Sequence, residues 1–255
     1  PEPAPIAAEA VPKVPREPSD NPWLRARASG VGGTYSFEQR PTESPGELLD
    51  VPLLVGGPDG GRPASPVGFE IDGRTWVPSL EVLGFHAQVR ETWYQVESAA
   101  FSSAASDWLS DIRVDVNVRY PFEVGSDQFW IGAKAGYRYN DFMVFKGCLE
   151  EAANCTVRYE PVGVSGLGVG PELGVEVGDF FFVTGYDLGL ASGTRPYSNA
   201  IDANLGWAFV DHLFADVGFG WSSRQVVLTS AETGDDRGEL NDQQLTFELG
   251  LGWEM

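Results

Sequence analysis

The reactive side chains of this chain are few: two histidines, His86 and His212, two cysteines, Cys148 and Cys155, and a set of charged residues spaced two apart. A general base works only with a nucleophile or water in hydrogen-bond reach. Neither histidine has a nucleophile motif beside it, so no catalysis is expected. The cysteines lie close together in a polar segment, residues 146–156, a pattern that suits a small disulfide-closed loop in an oxidising compartment. Without a neighbouring histidine they make half a metal site at best, and neither metal nor cofactor is expected. The charges are more regular. Arg113, Asp115 and Arg119 share one parity along the chain, as do Lys134 and Arg138, Glu172 and Glu176, and Asp202, Asp216 and Glu248 join the pattern further on. In an extended chain each such group projects from one face. Turned into a narrow lumen, it would set Arg113, Arg119, Lys134 and Arg138 against Glu172, Glu176, Asp202, Asp216 and Glu248. The result would be either a transverse field across a small pore or a salt-bridged plug. The plug is favoured, because ions buried in a narrow space pair.

Strands must position these residues. The last one places Leu245, Phe247, Leu249, Leu251, Trp253 and Met255 on one face and Thr246, Glu248, Gly250, Gly252 and Glu254 on the other. The same alternation sets Ile112, Val114, Val116, Val118, Tyr120 and Phe122 against the first charged group, and Phe129, Ile131, Ala133, Ala135, Tyr137 and Tyr139 against Trp130, Gly132, Lys134, Gly136 and Arg138. Short turns are read at Asp72-Gly73, 124–127, Gly178-Asp179 and Asp211-His212. Longer polar links fall at 40–66, 99–108, 146–158 and 230–242. The strands then run near 24–39, 65–72, 74–97, 109–122, 128–145, 158–177, 180–192, 198–210, 212–229 and 243–255. Ten is the reading; eight with an elaborated hairpin is the alternative, because Pro63, Pro66 and Pro78 interrupt the early strands. Tyr120, Phe122, Phe129, Phe209 and Trp253 would ring one end, and Tyr137, Tyr139, Phe142 and Trp221 the other.

No stretch holds the roughly 18 to 20 unbroken apolar residues of a membrane helix, yet the chain is 42% hydrophobic. A closed barrel crosses lipid with strands of about 9 to 11 residues, which average hydropathy does not register. The net charge of −20 argues against nucleic acid. Residues 1–22 carry seven prolines among Ala, Glu and Val. They are read as an extended, disordered tail or linker, and residues 23–255 as the barrel. The start at Pro1 without a leader is read as either a removed signal peptide or a trimmed chain. An apolar run at 48–55 is expected to fold over the barrel mouth, enter the lumen or meet a partner, and the acidic segment 230–242 to be a solvated loop.

The final residues Glu248-Leu-Gly250-Leu-Gly-Trp253-Glu-Met255 resemble the terminal signal of bacterial outer-membrane β-barrel proteins: a polar residue, a glycine, an aromatic and a closing hydrophobic at set spacing. Met255 departs from the Phe or Trp that most often closes it. The resemblance covers about residues 23 to 255 and implies an all-β, antiparallel up-and-down transmembrane barrel. It also implies recognition by the barrel-assembly machinery, outer-membrane lipid as the surroundings, periplasmic termini and extracellular long loops. An envelope protein partner would meet residues 1–22 or the outer loops. Ten-stranded barrels resembling the omptin proteases would want Asp and His together at the outer rim. Here the histidines fall on the third strand and in a short turn. A soluble barrel of lipocalin type would turn the apolar face inward. The functional expectation is a narrow channel or envelope scaffold, with a surface-binding barrel of occluded lumen as the alternative.

Overall fold

The computed structural model describes residues 23–41, 53–55, 66–97, 104–148, 157–191, 196–229 and 236–255. Where β-branched and aromatic residues alternate with polar ones, the chain forms long strands: β1 (Leu24–Pro41), β2 (Leu53–Val55), β3 (Val67–Val77), β4 (Leu80–Glu97), β5 (Ala104–Val124), β6 (Asp127–Cys148), β7 (Val157–Val177), β8 (Phe180–Ala191), β9 (Pro196–Val210), β10 (Leu213–Thr229) and β11 (Asp236–Glu254). Each pairs antiparallel with its neighbour in sequence, apart from the short β2, which lies beside β1 on the same side as β3. β11 closes on β1 from Arg25 opposite Glu254 to Pro41 opposite Gly238. The result is a closed up-and-down barrel of ten strands, as the sequence led us to expect.

Its faces are those of a protein built for lipid. On β5, Val114, Val116 and Val118 are 52, 45 and 54% exposed, whereas Asp115, Asn117 and Arg119 between them are 2, 2 and 5% exposed. Phe247, Leu249, Leu251 and Trp253 on β11 likewise point out, with Thr246, Glu248 and Glu254 buried inside. Such an arrangement is disfavoured in water and is the stable one in a bilayer, where the backbone groups are satisfied by the closed sheet. The soluble alternative, with its apolar face inward, is thereby excluded.

Several local expectations need correction. Asp72 and Gly73 lie inside β3, not in a turn; the β3–β4 turn is at Pro78–Ser79. The reason is that Asp72 is lumenal and paired, so its polarity marks an inward position, while Pro78 has no N–H to give to a ladder. The other short turns stand where expected, and Gly125 (φ 71), Gly178 (φ 58) and His212 (φ 67) supply their left-handed residues. The long links are shorter than read, because β5 begins at Ala104 and β11 at Asp236. Asp242 therefore belongs to a strand and is buried rather than solvated. Phe142 shares the parity of Arg138 and Asn140 and is buried inside, so it is not part of an outer aromatic ring. Residues 1–22, Cys155 and most of the 48–55 run fall outside the described residues. So the tail and the Cys148–Cys155 disulfide are not seen, and of the apolar run only Leu53–Val55 is seen, beside Phe37, Glu38 and Gln39 of β1.

The inward glycines have a packing reason. In the register, Trp76 faces Gly84, Trp130 faces Gly174, Phe181 faces Gly206 and Phe214 faces Gly252. A Cβ added at those glycines would lie 2.3, 2.1, 2.0 and 2.1 Å from the opposing ring. Each aromatic thus lies flat over the neighbouring strand's bare backbone. Gly206→Ala is expected to cost about 1–3 kcal/mol by overpacking, read as a lower midpoint of heat-modifiable gel migration. Unchanged migration would show that the Phe181 ring has room to move.

Candidate functional site: the barrel lumen

From the short-turn end upward, the lumen has three levels. The lowest is aromatic. Trp76 and Trp130 meet edge to face at 6.1 Å, Phe181 and Phe214 at 5.2 Å, and all four come from positions close to the turns. Two guanidiniums cover them, Arg119 at 3.7 Å over Trp76 and Arg25 at 4.0 Å over Phe181. Arg25 also reaches Glu254 at 3.0 Å and Glu176 at 3.2 Å. β1 and β7 stand five places apart in the ring of ten, so the Arg25–Glu176 pair spans the barrel's full width.

The middle level is ionic. Arg27 donates to Asp216 at 2.5 Å, Glu70 at 2.5 Å, Glu248 at 3.1 Å and the Asn204 oxygen at 2.9 Å, with Asp72 at 3.7 Å. Arg90 binds the same Glu70 at 2.6 Å and also Glu248. His86 lies between Asp72 and Asp115, the latter at 3.3 Å, which occupies both ring nitrogens. Arg138 holds Asp115 at 2.5 Å and Asp187 on its other side. Arg74 reaches Glu172 at 2.5 Å, which also accepts from Asn117 at 2.9 Å. Lys134 reaches Asp202 at 3.2 Å, with Arg113 3.9 Å from the same carboxylate.

The upper level is again aromatic. Tyr35, Tyr94, Leu109, Phe142, Tyr197 and Leu240 form one buried cluster, with the Tyr35 and Tyr94 rings 4.6 Å apart. Arg224 stacks on Phe142 at 4.5 Å, grips Asp242 through two hydrogen bonds of 2.8 and 2.7 Å, and reaches Asp111 at 3.2 Å. The Arg224–Asp111 pair, between β10 and β5, is a second brace across the full width. Cavities remain between the side chains. One of about 50 Å³ lies at the ionic level, and others of about 30 and 20 Å³ lie toward the short turns.

The structure places all ten expected lumenal charges inside: Asp115, Arg119, Lys134, Arg138, Glu172, Asp216 and Glu248 buried, Arg113, Glu176 and Asp202 half-buried. It does not divide them into a basic wall and an acidic wall. Arg25, Arg27, Arg74, Arg90 and Arg224 stand among the acids, and Asp72, Asp111 and Asp115 among the bases, so the charges pair locally in place of two opposed walls. Those five arginines and Glu70 were missed. Their signal was present in the alternation of Arg25 and Arg27 with Ala26 and Ala28, and of His86, Gln88 and Arg90 with Phe85, Ala87 and Val89. The inward aromatics were missed because aromatic residues were expected at the lipid interface. His86 and His212 are not neighbours. His212 sits in its turn with Nδ1 3.0 Å from the Glu254 carbonyl oxygen. Of the terminal signal, Glu248 and Gly250 face the lumen, while Trp253 and Met255 are exposed on the outer face.

No protein-family model and no curated protein sequence matches the chain. Among solved structures it is similar to the outer-membrane protease OmpT of Escherichia coli, at 10% identity and a TM-score of 0.42, over 91% of this chain and 97% of that one. It is similar to the transport unit of the Escherichia coli autotransporter AIDA-I at 9% identity and a TM-score of 0.43, over 94 and 92% of the two chains. The Neisserial surface protein A matches at 10% identity and a TM-score of 0.33, over 91 and 97%. The resemblance is to small bacterial outer-membrane β-barrels as a class.

Proposed function

We propose that this outer-membrane barrel is a closed envelope scaffold: a rigid, non-catalytic mount that carries long loops on the outer side and its N-terminal segment on the periplasmic side. The observation that carries this reading is the bracing of the lumen at two heights, by Arg25–Glu176 near the turns and Arg224–Asp111 near the far end, each pair joining opposite walls. A solute moving along the axis would have to break both braces and displace the aromatic residues packed against them. Buried ion pairs of this kind resist single-sided disruption, because removing one member strands the other. Both chain ends of the barrel lie at the short-turn end, where Leu24 and Met255 exchange backbone hydrogen bonds of 3.1 and 2.9 Å. That end is assigned to the periplasm, which gives the barrel-assembly machinery access to the last strand. The two histidines support the absence of catalysis, His86 having both ring nitrogens engaged by carboxylates.

The test is single-channel recording of the refolded protein in a planar bilayer, after heat-modifiable migration has confirmed a closed barrel. A silent membrane is expected, with openings only when both braces are removed by combining Arg25→Ala with Arg224→Ala. Steady conductance from the unaltered protein would replace the scaffold with the narrow-channel reading.

A further inference from the structure

At the ionic level Arg113 has neither a hydrogen bond nor a close carboxylate among the described residues; Arg74 also donates no hydrogen bond there but stands 2.5 Å from Glu172. Arg113 lines the cavity of about 50 Å³, and its side chain is 17% exposed. Among the described residues it donates no hydrogen bond, and its one charged partner, Asp202, stands 3.9 Å away. Arg27, Arg90, Arg138 and Arg224 each donate several. Arg113 also sits directly opposite Arg138 in the β5–β6 register, a like-charge pair that is destabilising unless compensated. Arg138 is compensated by Asp115 and Asp187. Arg113 shares Asp202 with Lys134, a buried ammonium that has three donors and gives one hydrogen bond, of 3.2 Å. Asn204 and Ser198 of β9 line the same cavity as neutral donors. Arg113 and Lys134 thus share one carboxylate and leave most of their N–H groups without an acceptor among the described residues, beside the cavity they both line.

We propose that this chamber is a binding site for a small monovalent anion of halide size, held chiefly by Arg113 with Lys134 beside it. A cavity holds a water once it offers roughly 10–15 Å³ to the probe centre, so about 50 Å³ accepts a halide with a few waters. Gluconate, a much bulkier organic anion, is the comparison ion. The site goes beyond the scaffold reading and does not depend on it, since occupancy is measured without any current.

Two measurements test it. In crystals of the unaltered protein grown with sodium bromide, an anomalous peak within hydrogen-bond reach of the Arg113 guanidinium is expected. Bromide confined to the outer surface, or absent from the chamber, would overturn the proposal. In solution, unfolding at equal ionic strength is expected to be about tenfold slower in saturating chloride than in gluconate, because an ion that binds only the native state stabilises it. Arg113→Met should unfold at the same rate in both salts. A chloride effect that survives in Arg113→Met also overturns the assignment, and if that variant fails to fold, the bromide crystals decide.

Discussion

Arg27→Met is expected to lower the unfolding free energy by about 3–5 kcal/mol, the range for removing one member of a buried ion pair. The guanidinium is the shared counter-charge of Glu70, Asp72, Asp216 and Glu248, which come from β3, β10 and β11. Arg90 still binds Glu70 and Glu248 after the change, but Asp216 has no second cation among the pairs described. Adding Asp216→Asn to Arg27→Met should therefore recover part of the loss. Urea unfolding in lipid vesicles, followed by tryptophan fluorescence, reads both variants. A cost below about 1 kcal/mol would place Arg27 among weakly coupled surface charges.

Leu249→Arg tests the outer face with an effect of similar size. Leu249 is 72% exposed and lies at the centre of the outward apolar row Leu245–Trp253 of β11, between Gly30 of β1 and Val217 of β10. An arginine near the bilayer midplane of a barrel costs about 2–4 kcal/mol, falling to about 0–1 near the interfaces. Gln243→Arg, on the same face of the same strand but nearer the long-link end, should be close to neutral. Equal costs for the two in vesicles would mean that no lipid band surrounds Leu249.

Most of the fold was legible because period two is a local signal, and in β5, β6 and β11 both faces keep it over the half nearer the short turns, at 111–122, 129–139 and 245–255. It became hard to read where two causes of polarity compete. Asp72-Gly73 has the composition of a tight turn, and only its partners on β1 and β4 reveal it as an inward position. The lumenal charges on β5 to β11 were likewise visible as a face. Their pairing was not, because Arg224 meets Asp111 across the barrel and 113 residues of chain, and no spacing encodes that. The inward aromatics are a similar case. Trp130 was read on the polar face without a role, and its role depends on Gly174, opposite it on the next strand.

The sharing of Arg27 also constrains how the chain assembles. Its carboxylate partners on β10 and β11 are made last, and β11 must close on β1 before Glu248 comes within 3.1 Å. Until then Arg27 is answered only by Glu70 and Asp72 of the neighbouring β3, and the final strands hold acids without their cations, unwelcome in hydrocarbon. Insertion in stages would expose each of these charges in turn, whereas a concerted closure exposes none of them. Contacts this distant in sequence are slow to form. The chain should accordingly enter the membrane in a single slow step, with no stable half-inserted barrel, and extraction should proceed by the same all-or-none route.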